Sequence, residues 1–84
     1  MARTRVDLLR MDIEVLKKDY GVVKIIGFHR VNEMGHAPCR LLVFSDGSVS
    51  VKGDDVGAIF EFSPNAVEMA VEYVESHGYI RDGE

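Results

Sequence analysis

The sequence has no tryptophan, one cysteine, two prolines and no apolar run near the roughly 18 residues that a membrane-spanning helix needs. Each shortage excludes something. A single cysteine, Cys39, rules out an internal disulfide framework and fits a reducing compartment. The opening stretch, MARTRVDLLRMD, carries basic residues but no apolar block followed by a cleavage site, so it is not read as a signal peptide. These features together predict a cytoplasmic protein with no membrane partner. The glycines form no phosphate loop, because GDDVG at 53–57 lacks the lysine and the following helix that such a loop requires. No cofactor is expected.

What is present is ordinary for a globular chain: 84 residues, 46% hydrophobic and 29% charged. That is too apolar for intrinsic disorder and too short for two cores, which predicts one domain over residues 1–84. A chain of this size buries only about 60–65% of its unfolded surface, so self-association is an expected additional source of stability.

The spacing of apolar residues predicts an α+β fold: a helix, a three- or four-stranded antiparallel meander, then a second helix. Thr4 with Asp7 reads as an N-cap, and Val6, Leu9, Ile13 and Leu16 recur at helical spacing, which predicts a helix over 5–19 stopped at Gly21. Residues 22–31, VVKIIGFHRV, are β-branched and aromatic and read as a strand. Residues 39–45 and 48–52 read as strands joined at Asp46-Gly47, a favoured pair for a two-residue hairpin turn. That turn sets Phe44 opposite Val49 and Leu42 opposite Val51, placing all four on one face. Alternation at Ala58, Phe60 and Phe62 suggests a short strand at 58–62. Ser63-Pro64 reads as the cap and first position of a helix over 64–77, closed by His77-Gly78 with Tyr79-Ile80 folding back and RDGE left as a tail. The first strand is apolar on both faces. Either the two helices cover opposite sides of the sheet or one side meets another subunit; the reading adopted is the second, with both helices on one side and Val23, Ile25, Leu41 and Val43 left for a homodimer contact.

Few residues suggest chemistry. His29, His36, Cys39 and His77 are the soft-ligand candidates, but only His36 and Cys39 form a loose pair, and a structural zinc site needs four converging ligands. No metal site is therefore assigned. Cys39 with His29 or His36 is the one arrangement that could activate a nucleophile, yet nothing supplies an oxyanion hole. The expectation is a protein that is not an enzyme.

The sharper signal is charge segregation. Residues 1–52 carry a balance of +3, whereas residues 53–84 carry −7 with Arg81 as their only Lys or Arg. Glu68, Glu72 and Glu75 fall at i, i+4 and i+7, one stripe of the second helix, with Asp54, Asp55 and Glu61 preceding it. Most such stripes are solvated faces. As a functional surface, the stripe predicts docking on a protein with a basic face, one that handles nucleic acid, because carboxylates can imitate phosphates. Small acidic inhibitors of nucleic-acid machinery, such as phage inhibitors of host defence, share this size and charge. The alternative is a small oligomeric scaffold or nucleic-acid-associated regulator using Arg3, Arg5, Arg10, Lys17 and Lys18. The interleaved Asp7, Asp12, Glu14 and Asp19 and the net charge of −4 weigh against direct nucleic-acid binding.

Overall fold

The protein is described by a computed structural model covering Leu9 and residues 11–32, 35–53 and 56–82. Two helices flank a five-stranded antiparallel sheet, where three or four strands were expected. The elements are α1 (Ile13–Asp19), β1 (Val22–Asn32), β2 (Gly35–Phe44), β3 (Val49–Gly53), β4 (Gly57–Phe60), α2 (Ala66–Ser76) and β5 (Ile80–Arg81). The sheet order is β4-β3-β2-β1-β5. Among the described residues no helix is long and apolar enough to cross a membrane.

α1 is shorter than its apolar spacing suggests. Asp12 has an extended backbone and its carboxylate accepts the Glu14 N–H at 2.8 Å, so the cap sits there. The cap proposed at Thr4 and Asp7 lies outside the described residues. Gly21 adopts φ +73 directly after Tyr20 and ends the helix as expected. α2 begins two residues later than predicted, with Asn65 rather than Ser63 at its N-cap position, because Ser63 turns its hydroxyl to Asn65 at 3.1 Å. Its end is a Schellman stop. Tyr79 N–H donates to Val74 O, Gly78 N–H donates to Glu75 O, and Gly78 supplies the φ of +88.

The β2–β3 hairpin differs from expectation by one residue. Gly47 N–H donates to Phe44 O, and Phe44 N–H donates to Ser48 O, both at 2.9 Å. Gly47 has φ +88 while Asp46 keeps a negative φ. This is a three-residue loop of Ser45, Asp46 and Gly47 rather than a two-residue turn, which would need positive φ at both Asp46 and Gly47. Asp46 holds the loop by accepting the Ser48 N–H and hydroxyl, and these bonds lower its carboxyl pKa below 3.8. The register is therefore Val43↔Val49, Leu42↔Ser50 and Leu41↔Val51.

That single residue redistributes the faces. Leu41, Val49 and Val51 lie on one side with Phe28, Cys39 and the Ala66, Ala70 and Val74 stripe of α2. Leu42 lies on the other side with Val22 and the Leu16 side chain of α1, joined by Ile25 and Phe44. The helices thus cover opposite faces, contrary to the expectation that both would share one. Of the four residues expected at a dimer contact, Leu41 is fully buried beneath α2 with Val43 packed beside it. Ile25 packs in the α1 cluster, and Val23 is exposed. The register shift between Val22 and Lys24 is the reason strict alternation fails at the start of β1.

β5 grows out of the α2 stop. It pairs Ile80 with His29 and Arg81 with Phe28, burying Tyr79. Arg30 reinforces the closure, with its guanidinium 4.9 Å from the Tyr79 ring centre and Nη1 donating to His77 O at 3.1 Å.

Leu41 and Leu42 are neighbours in sequence, both fully buried, and they serve different cores. Leu41→Ala and Leu42→Ala should each lower unfolding free energy by about 2–5 kcal/mol in urea titration. A sheet covered on one side would spare one of the two.

Candidate functional site

The outer face of α2 carries the expected acidic stripe. Glu68, Glu72 and Glu75 are all exposed, opposite the Ala66, Ala70 and Val74 face that meets the sheet. Among the described residues none of the three forms an ion pair, and the last turn of α2 contains no basic residue. Glu75 therefore sits unscreened near the negative end of the helix, where a cation would be preferred. Glu61 is also exposed, directly after β4. Asp54 and Asp55 lie outside the described residues.

The candidate ligands separate. Successive residues of a strand point to opposite faces. On β2, His36 and Cys39 are three apart and therefore diverge, so the loose pair does not converge on one point. Cys39 lies opposite Phe28 in the ladder, placing it under α2, whereas His29 pairs with Pro38 on the α1 side. The arrangement of Cys39 with an imidazole is not formed on either side of the sheet. Among the described residues no group of three His, Cys, Asp or Glu side chains is placed to hold a metal ion. Burial, and secondarily the Asp82 charge, raise the Cys39 thiol pKa from 9.0 to about 11. A thiol of that kind stays protonated near neutrality and is a poor nucleophile.

The structure brings together a different pair that sequence reasoning missed. His29 Nδ1 lies 2.5 Å from Asp82 Oδ1, with the His36 ring centre 6.0 Å from that of His29. Gly27 makes room for it: a Cβ there would come 2.7 Å from Asp82 Oδ2, and Asp82 N–H donates to Gly27 O at 2.9 Å. A carboxylate on Nδ1 fixes the tautomer of an imidazole, as in catalytic triads. Here no hydroxyl or thiol of a described residue hydrogen-bonds the ring, so the pair ties the end of the chain to β1. Asp82 belonged to the stretch read as a free tail, and a two-residue strand offers no periodicity to detect it.

Beside this pair is a cleft of about 430 Å³, lined by Leu9, Ile13, Ile25, Gly27, Arg40 and Asp82 among others. Its polar groups already have partners within the chain: Arg40 Nη1 donates to Met11 O at 2.6 Å, and Asp82 is engaged with His29. In comparisons with known families, curated proteins and solved structures, no family model, curated protein or solved structure matches the chain.

The raised thiol pKa has a consequence for stability. Between about pH 9 and 11 the unfolded chain ionises Cys39 while the folded chain does not, so the unfolded state binds fewer protons and stability falls as pH rises. Cys39→Ala should flatten that fall, measured as unfolding free energy against pH, with a difference of up to about 3 kcal/mol at the alkaline end.

Proposed function

We propose that the protein is a non-enzymatic interaction module that docks the acidic face of α2 on a basic protein surface, acting as an inhibitor or regulator of nucleic-acid-handling machinery. The observation that carries this reading is the exposure of Glu68, Glu72 and Glu75 with no ion pair among the described residues. Like charges at i and i+4 with no offsetting lysine disfavour a helix by a few tenths of a kcal/mol. The stripe has a small cost in the free protein that a cationic partner would offset. Carboxylates repeating along one helix side also match the spacing problem that a phosphate-binding groove solves, and complementary charge speeds encounter.

Two features support a binding rather than a catalytic role. The one thiol is buried with a raised pKa; the His29 imidazole held by Asp82 has no hydrogen-bonded hydroxyl or thiol among the described residues, and the His77 ring is taken up by the Tyr73 carbonyl at 2.7 Å, to which the Ser76 hydroxyl also donates. The second reading, phosphate contact through the first helix, rests on Lys17 and Lys18, which are exposed in the last turn of α1. Asp12, Glu14 and Asp19 share that element and reduce its positive field. Arg3, Arg5 and Arg10 lie outside the described residues.

Replacing Glu68, Glu72 and Glu75 together by Gln tests the reading. The melting temperature should hold or rise slightly, and capture of a partner from extracts of the native host should fall at least tenfold. Wild-type capture should itself weaken with added salt, because exposed charges are screened. A triple variant that captures the same partner equally well would sink the proposal. A gel-shift assay with duplex DNA and RNA separates the second reading.

A further inference from the structure

The two edges of the sheet are treated differently. β5 is two residues long, contains Arg81 and adjoins Asp82, the short and charged kind of edge that resists further pairing. β4, at the other edge, reads Gly57, Ala58, Ile59 and Phe60, with no charge, no proline and no register shift against β3. Its Ile59 is 74% exposed, and Phe62, just beyond it, is 70% exposed. An uncharged edge with a projecting isoleucine is a template for another strand.

The ladder shows which groups of that edge are available. In antiparallel pairs, residues alternate between exchanging both backbone hydrogen bonds with the neighbour and exchanging none. Phe44 N–H donates to Ser48 O across the β2–β3 loop, and Gly53 N–H donates to Val56 O across the β3–β4 turn. Counting outward from these bonds, Ala58 and Phe60 exchange bonds with Val51 and Val49, whereas Gly57 and Ile59 direct theirs away from β3. The Gly57 carbonyl accepts the Tyr73 hydroxyl at 3.3 Å, which leaves its second lone pair.

We infer that β4 is the contact of a symmetric homodimer, in which β4 pairs antiparallel with β4 of a second copy about a twofold axis at Ile59. This goes beyond the acidic-face reading and does not rest on it. A twofold axis normal to an antiparallel ladder passes through the centre of a pair, so it sets one residue against itself. With Ile59 on the axis, the two isoleucines exchange hydrogen bonds and meet side by side, and Gly57 faces Glu61 of the second copy. An axis at Ala58 would instead set Ile59 against Gly57 and give it no apolar partner.

The Ile59 register also satisfies charge. Arg40 and Lys52 are directly opposite each other on β2 and β3, and Lys52 is opposite Gly57 on β4. Like charges directly opposite are destabilising, and Lys52 forms no ion pair among the described residues. The dimer extends this row to Arg40, Lys52, Gly57 and the second copy's Glu61, all on one face. Strands are spaced about 4.8 Å apart, so Lys52 and that Glu61 lie about 10 Å apart at Cα with only a glycine between them. Their long side chains close the gap, twice by symmetry. On the other face, Tyr73 already packs against Phe60 with ring centres 5.9 Å apart. Met69, four residues before Tyr73 and 44% exposed, continues the same helix flank towards the axis. These groups add the side-chain area that a bare strand edge would lack.

Sedimentation velocity on the full chain at micromolar concentration should give twice the chain mass. Ile59→Lys sets two ammonium groups on the axis and should give a monomer with unchanged circular dichroism, since Ile59 is exposed. Glu61→Lys should weaken the dimer roughly tenfold or more by facing Lys52, and Lys52→Glu combined with Glu61→Lys should restore it. Hydrogen exchange should show the Ile59 amide protected only at concentrations where the dimer forms. A monomeric wild-type chain, an open polymer, a dimer that survives Ile59→Lys, or a double reversal that fails to restore association would each overturn the inference.

Discussion

The two backbone hydrogen bonds that close the loop from Phe44 to Ser48 fix the parity of the sheet, and the other contacts inherit it. A strand presents alternate residues to alternate faces, so shifting the closure by one residue would exchange the sides of every β3 side chain relative to β2. With closure at Phe44 and Ser48, Leu41 and Val51 share a row under α2, while Leu42 and Ser50 share a row on the α1 side. β4 follows β3 through the Gly53–Val56 bond and takes its parity from the same source. The direction of the Ile59 backbone groups, and with it the character of the free edge, is set twelve residues earlier by the loop that ends at Gly47. That glycine has little room to vary, because a Cβ would collide with the Phe62 ring as well as strain the backbone.

Both faces of this sheet carry apolar clusters and both need cover, and the two helices divide the work unequally. α2 buries Ala66, Ala70 and Val74 over β2, β3 and β4, whereas seven-residue α1 buries one residue, Leu16. The small residues on α2 let its backbone approach the sheet closely, so the larger apolar groups come from the strands. The lighter cover on the α1 side explains why the half-open cleft, the His29–Asp82 tie and exposed Ile59 all lie on that face. Closing β5 against β1 through Asp82 is the second device that holds this thinly covered side together.

Much of this organisation is legible in the chain. The Gly21 and Gly78 stops, both helices and the extended character of β1, β2 and β3 follow from local chemistry that tertiary contacts did not override. The register was not legible, because Asp46-Gly47 is compatible with two loops that place the glycine at the same point. Only the sign of φ at Asp46 separates them, and a sequence does not carry it. The β1 shift at Val22 and Lys24, the two-residue β5 and the Asp82 contact are equally silent, since each is shorter than the period that would announce it. The acidic stripe was legible as a pattern, and its exposure follows from the placement of Ala66, Ala70 and Val74 on the opposite side of α2.

The stripe and the free edge need not compete for the same surface. At about 100° per residue, Glu68, Glu72 and Glu75 span a narrow sector opposite the buried stripe, while Tyr73 and Met69 occupy the flank between them on the β4 side. In a twofold pair joined at β4, both α2 helices lie on the same face of a continuous sheet. Their apolar flanks approach the axis and their glutamates point away from the sheet. Association at the edge would therefore display two acidic stripes in parallel on one side, doubling the negative field available to a cationic partner without placing like charges in contact. Binding two sites of one extended basic surface would then gain from effective concentration as well as from charge. The segregation of charge along the chain acquires a geometric sense in that arrangement: the residues that associate are apolar or offset in sign, and the α2 stripes left outside carry one sign.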